Sequence, residues 1–236
     1  ADYVKRKGYA GGVRTWAVGQ AMAVDRALSL YSSPGRGQGA FPEFYFFDCH
    51  SCHRAISDAP DAPLTVIDNP ARPIPVGMPP FNDENMIMLS SAVRVAAPSL
   101  AGRFENDSRN FHAALAADRP AAIKAAGRLA ETSRALSSTF ATHGFSRAET
   151  FAILEDVLNG GLARYTDYTG SAQAVMAADT LLNALADAGQ VDRAQVAAVR
   201  PDLDAAYAAV RDPNAYRPME FRKALANVAA AVRRLK

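Results

Sequence analysis

The sequence contains few of the features that mark several common classes of protein. Only two of its 236 residues are cysteines, too few for a disulfide-stabilised fold. Its 26 basic and 24 acidic residues nearly cancel, to a net charge of +2, so the basic excess of a nucleic-acid-binding protein is missing. No run of about 18 apolar residues is present, and a membrane span is therefore not expected. Nucleic acid and the membrane interior are poor candidates for partners.

The sequence also lacks the alternation of polar and apolar residues that predicts β-strands, and it contains no repeat. Apolar residues recur instead at helical spacings, first at Val13, Trp16, Ala17, Ala21, Val24, Leu28 and Tyr31. Later helices are predicted over 83–97, 101–118, 119–144, 146–168 and 171–189, with two more that begin at Arg200 and Pro218. Ser146 and Glu149 have the spacing of a capping box. We therefore expect an all-α fold.

Proline is concentrated in one segment. Residues 57–82 contain half of the chain's 14 prolines, so this segment is predicted to be extended and not helical. An interdomain linker would explain it, but its apolar residues favour a loop packed around a ligand. These residues are Leu64, Val66, Ile67, Ile74, Val76, Met78 and Phe81.

Both cysteines fall in the segment FPEFYFFDCHSCHRAISD, in which Cys49 and Cys52 are followed directly by His53. We predict a helix over 41–57. The string CHSCH fits the pattern for attachment of a c-type haem. Two cysteines on one helical turn reach the two vinyl groups on one edge of a porphyrin, and the adjoining histidine then lies under the iron as its axial ligand.

Zinc binding and dithiol chemistry would each need features that the chain lacks. A structural zinc site needs four ligands, and beyond the motif the chain offers only His50, His112 and His143, with no second CxxC. A thioredoxin-type dithiol needs a strand before its CxxC, whereas the residues that flank this one are predicted to be helical. A chance match to the haem pattern is the remaining alternative. The aromatic run Phe41, Phe44, Tyr45, Phe46 and Phe47 favours haem, because a flat apolar ring needs an aromatic wall; within it Phe46 is placed on the helical face of Cys49 and His53. Arg54, Arg72 and Arg36 are candidates to pair with haem propionates.

On Cys49, Cys52 and His53 the sequence resembles the c-type cytochromes. The resemblance implies a covalent haem c, an exported and periplasmic location, and electron transfer with a redox partner protein. Residues 10–85 are more distantly similar to the haem segment of nitrifier-type tetrahaem cytochromes. Because this chain has a single CxxCH, either further haem sites lie upstream of Ala1 or the chain is a monohaem relative. The first residues, ADYVKRKGYAGG, lack the apolar core of a signal peptide, as in a processed chain or a fragment.

The sixth iron ligand decides between an electron carrier and a reactive haem. Met78 lies in VGMPPF, which is similar to the Met-Pro-Pro loop that supplies the distal thioether in small class I cytochromes. Met88, His112 and an open position are the alternatives.

Together these observations predict a haem c-binding domain over 1–97, made of short helices and a Pro-rich wrapping loop, and a helical bundle domain over 98–236. Cys49, Cys52, His53, Phe46 and Arg54 are the expected haem-binding residues, with His53 and Met78 as iron ligands. The expected function is one-electron transfer by a monohaem cytochrome. A haem enzyme or gas sensor with an open sixth position, acting on peroxide, a nitrogen oxide or carbon monoxide, is the alternative, followed by a non-catalytic interaction module.

Overall fold

The computed structural model describes residues 12–34, 44–48, 72–73, 78–163 and 168–236. Within these ranges the chain is helical apart from turns and one isolated β-bridge, and the expected all-α fold is confirmed. The helices are α1 (Gly12–Ser32), α2 (Glu84–Ala96), α3 (Pro98–Ala117), α4 (Arg119–Thr142), α5 (Arg147–Ala163), α6 (Tyr168–Asp187), α7 (Arg193–Ala209) and α8 (Pro218–Arg233), with a single 3₁₀ turn at Phe44–Phe46.

The helix α6 lies at the centre of the bundle. It packs against α1, α2, α5, α7 and α8, and it is buried around most of its circumference. Many of its buried residues are small, which lets several neighbouring helices approach it closely. The outer pair α1 and α4 pack against each other along their length, and α3 lies beside α4.

One hydrophobic cluster joins the described helices. It extends from Val13 in α1 to Val232 in α8, and it includes buried residues of α2 on one side of residue 97 and of α3 on the other. The boundary that we predict near residue 97 stays a prediction. In the described part of the chain, the helices before and after that boundary share the same core.

Several helix ends follow the predicted local signals. Asp118 caps α4 by accepting a hydrogen bond from the Ala121 amide at 2.8 Å. Ser146 and Glu149 form the predicted capping box, with the Ser146 amide donating to the Glu149 carboxylate at 2.8 Å. Gly189 follows α6 with a φ of 67°, a conformation that glycine adopts without strain.

The structure corrects the prediction of a helix over 41–57 in the part that it describes. Residues 44–46 form a 3₁₀ turn, and Phe47 and Asp48 then run extended. The Asp48 amide bonds to the Pro80 carbonyl and the Phe46 carbonyl to the Asn82 amide, instead of to neighbouring turns of a helix. The 3₁₀ turn that ends at Phe46 therefore does not continue as a helix through Phe47 and Asp48.

The helix α7 also differs from its prediction, because it begins at Arg193 and continues through Pro201. A capping box between Asp192 and Gln195 starts the helix upstream of the proline. Pro201 therefore lies inside the helix, whereas the sequence pattern predicted that a helix begins at Arg200.

The central position of α6 generates a stability prediction. Leu181 is fully buried on α6, whereas Met176 on the same helix is 50% exposed. We expect Leu181→Ala to lower the free energy of unfolding by about 3 kcal/mol, because it removes buried methyl groups and leaves a cavity. The matched variant Met176→Ala should change it by less than about 0.5 kcal/mol. Chemical denaturation of the two variants measures both values, and equal losses would contradict the central position of Leu181.

Candidate functional site

Several of the residues predicted to bind the haem lie outside the described part of the chain. These residues are Cys49, Cys52, His53 and Arg54. The structure does describe Phe46, which is buried, and Met78, which is half-buried. It also describes the residues that directly precede the cysteine motif and those that directly follow Met78.

The segment that precedes Cys49 pairs with a distant part of the chain. Phe47 and Phe81 form an antiparallel β-bridge. Next to it, the backbone amide of Asp48 donates a hydrogen bond to the carbonyl of Pro80 at 2.8 Å. The residue directly before the cysteine motif is thereby held against the Pro-rich segment.

Two further hydrogen bonds continue this pairing. The backbone amide of Asn82 donates to the Phe46 carbonyl at 2.7 Å, and its side-chain amide donates to the Tyr45 carbonyl at 2.9 Å. Because Met78 precedes Asn82 by only four residues, the pairing ties the chain before the cysteines to the chain after Met78.

An aromatic cluster attaches this bridge to the helices. Phe81, only 2% exposed, lies at its centre. Its ring stacks on Phe46 with centroids 6.0 Å apart, and it meets Phe111 of α3 edge-on at 4.9 Å. Tyr31 at the end of α1 makes edge contacts with all three of these rings. Such contacts add to the burial of apolar area and fix the orientation of the rings.

A buried ionic group lies next to this cluster, at the start of α2. The Asp83 carboxylate, which is 3% exposed, accepts from Nε and Nη2 of Arg72, the second bond at 2.6 Å. It also lies 2.9 Å from Nε2 of His112, a fully buried residue on α3. The other ring nitrogen of His112 is 2.8 Å from the Ser108 carbonyl.

The charges of this group follow from its hydrogen bonds. The ring of His112 lies between two oxygens, the Asp83 carboxylate and the Ser108 carbonyl. Burial raises the pKa of the Asp83 carboxyl, but the Arg72 charge and the contacts with His112 outweigh it, and the pKa lies below the usual 3.8. Asp83 is therefore an ionised carboxylate held between the Arg72 guanidinium and the His112 ring.

The bridge and the ionic group border one small cleft. Its lining residues come from the chain before the cysteines, the Pro-rich segment, the start of α2 and the start of α6, and they include Asp48, Arg72, Pro80, Asp83, Glu84 and Thr169. Asp48 is itself buried, at 7% exposed. The structure thus brings the described neighbours of the cysteine motif next to the buried ionic group.

The alternative iron ligands lie in settings that differ from that of Met78. Met88 is fully buried on α2, and Met86 on the same helix is 3% exposed. Both ring nitrogens of His112 contact oxygens of the protein in the described structure, so both are already engaged. Half-buried Met78 is the candidate that lies outside the helices.

Local sequence patterns missed two parts of this site. They indicated Arg72 as a partner for haem propionates, whereas the structure pairs Arg72 with Asp83, a residue that no pattern identified. They also predicted an aromatic wall from residues 41–47 alone, whereas Phe81 and Phe111 complete the described cluster. Neither contact has a local signal, because the partners are separated by 11 to 65 residues.

No family model, curated protein or solved structure matches this chain. Within the described ranges, no group of three or more histidine, cysteine, aspartate or glutamate residues is arranged to hold a metal ion. None of the helices in those ranges combines the length and apolar character that a bilayer crossing requires.

The buried ionic group generates a prediction about stability in acid. We expect Asp83→Asn to lower the free energy of unfolding at neutral pH by about 3 kcal/mol, because the largely buried Arg72 guanidinium loses its counter-charge and the His112 ring loses a carboxylate partner. The folded-state pKa of Asp83 lies below 3.8, so its ionised form contributes stability that is present above that pH and lost as pH falls through the folded-state pKa. Urea denaturation at neutral and acidic pH should therefore show the difference from the wild type shrinking in acid.

A matched control is Asp204→Asn, which removes an arginine–aspartate pair on the surface. Asp204 is 59% exposed and lies 2.7 Å from Arg200. This variant should lose less than about 1 kcal/mol at neutral pH. Two outcomes would contradict the charge assigned to Asp83. One is an equal loss of unfolding free energy in the two variants, and the other is a stability difference between Asp83→Asn and the wild type that grows in acid.

Proposed function

We propose that the chain is a monohaem c-type cytochrome that transfers single electrons through a covalently attached haem. The observation that carries the proposal is the CHSCH string, which uses both cysteines of the chain and places His53 directly after the second. The bound haem would supply an iron that cycles between the ferric and ferrous states. The proposal includes an exported, periplasmic location and a redox partner protein.

The side chains of this segment have the chemistry that a haem c needs. Cys49 and Cys52 would form the two thioether bonds, and the imidazole of His53 would be the proximal ligand. Phe46 belongs to a buried aromatic cluster that is packed directly before these residues, which supports an apolar setting for a porphyrin. A haem in such a setting is shielded from water, which is one of the means by which a protein tunes its potential.

Met78 is the distal ligand in this proposal. Its support is the pairing of Asp48 with Pro80, because it joins the residue before the first cysteine to the residue two positions after Met78. A methionine and a histidine would together hold the haem iron as a ligand pair suited to electron transfer. The engaged ring of His112 and the deep burial of Met88 in α2 leave Met78 as the best of the described candidates.

The covalent attachment is tested by removing both thiols. We expect the double variant Cys49→Ser, Cys52→Ser, produced in cells that attach haem c, to release all of its haem on acid–acetone extraction, since serine forms no thioether with a vinyl group. The wild type and the variant Ser51→Ala, which alters only the residue between His50 and Cys52, should retain it. Haem that stays attached to the double variant would refute the proposed site.

The distal ligand is tested by Met78→Ala. We expect the ferric variant to lose the weak long-wavelength band of iron–thioether bonding, and the ferrous variant to bind carbon monoxide without denaturation, because the sixth position is open. The control is Met22→Ala, which changes a 59% exposed methionine on α1 and should behave as the wild type. A wild type that binds carbon monoxide as tightly as Met78→Ala does would favour the haem enzyme or gas sensor instead.

A further inference from the structure

Arg72 and Asp83 close a loop that has Met78 near its middle. The two residues are eleven positions apart, and Met78 follows Arg72 by six residues and precedes Asp83 by five. The guanidinium binds the carboxylate through two nitrogens, and this paired geometry fixes both direction and distance. The ends of the Met78 segment are thereby held together.

His112 attaches the closed loop to the helical bundle. Its ring lies 2.9 Å from the same carboxylate oxygen that Arg72 Nε contacts. The ring is itself oriented by the Ser108 carbonyl one turn earlier in α3. The two ends of the loop, at Arg72 and Asp83, are therefore held to each other and to α3.

The use of the Asp83 carboxylate indicates a role other than helix capping. Asp83 directly precedes α2, where an aspartate ordinarily accepts hydrogen bonds from the first helical amides. Asp118 and Asp192 do so at the starts of α4 and α7, but Asp83 makes no side-chain cap bond. Its carboxylate is turned instead to Arg72 and His112.

The sequence between the two ends restricts the loop further. Residues 72–83 read RPIPVGMPPFND and contain four prolines. Proline has a fixed φ, which lowers the number of conformations that the chain loses when the loop closes. A single buried ion pair is then an effective constraint on the position of the methionine.

We propose that Arg72, Asp83 and His112 form a clasp that positions the thioether of Met78 as the sixth ligand of the haem iron. The inference rests on the proposed function, because it concerns the same site. The three residues are positioning residues that act through the loop. Without the clasp, Cys49, Cys52 and His53 would still hold the haem, but the side chain of Met78 would no longer be held in position to bind the iron.

The test compares carbon monoxide binding by the ferrous, haem-loaded variants Asp83→Asn and Arg72→Lys. Lysine keeps the charge of Arg72 but cannot form the two-nitrogen contact, so this variant decides the question if Asp83→Asn fails to fold. We expect both variants to keep covalent haem, to lose the ferric iron–thioether band, and to bind carbon monoxide at least about tenfold more tightly than the wild type, as the open state becomes populated.

The control for a general loss of stability is Leu181→Ala, which opens a cavity in α6 and leaves the clasp intact. It should keep the thioether band and the weak carbon monoxide binding of the wild type. The clasp is refuted if Asp83→Asn and Arg72→Lys keep the wild-type spectrum, if Leu181→Ala changes it equally, or if Met78→Ala leaves it unchanged. A wild type without covalent haem refutes the proposed function and the clasp together. Retained haem with either of the first two results refutes the clasp alone, and retained haem with an unchanged Met78→Ala spectrum refutes the clasp together with the distal ligand.

Discussion

The Asp83 carboxylate, removed almost wholly from water, is the group around which the described site is arranged. A buried charge is tolerated only where opposite charges and hydrogen-bond donors surround it. Here the donors come from the Pro-rich segment and from α3, so Arg72, Asp83 and His112 must meet for the fold to be stable. The burial of one carboxylate thus determines where three separate parts of the chain lie.

The aromatic cluster complements this ionic group with apolar packing. Phe81 lies two residues before Asp83, and its ring contacts Phe46, Phe111 and Tyr31. The backbone bridge to Phe47 adds directional hydrogen bonds to the same contact. Charge pairing, ring packing and backbone pairing therefore all act on residues 81–83, and this combination holds the chain before the cysteines against the bundle.

Most of the described helices could be predicted from local patterns. The buried face of α1 consists of the apolar residues that recur at helical spacing, and the caps at Asp118 and Ser146 mark the starts of α4 and α5. The same kind of reasoning failed at residues 44–48 and at the start of α7. At residues 44–48 the backbone bonds to a distant segment, and at α7 an upstream capping box outweighs the local signal of Pro201.

The sequence by itself determined the all-α class and most helix boundaries, because these depend on residues that are neighbours along the chain. Only the tertiary structure decided that Phe46 packs on Phe81, that Arg72 binds Asp83 and that the ring nitrogens of His112 are engaged. Burial and hydrogen bonding between distant residues depend on how the helices pack together. No local pattern carries that information.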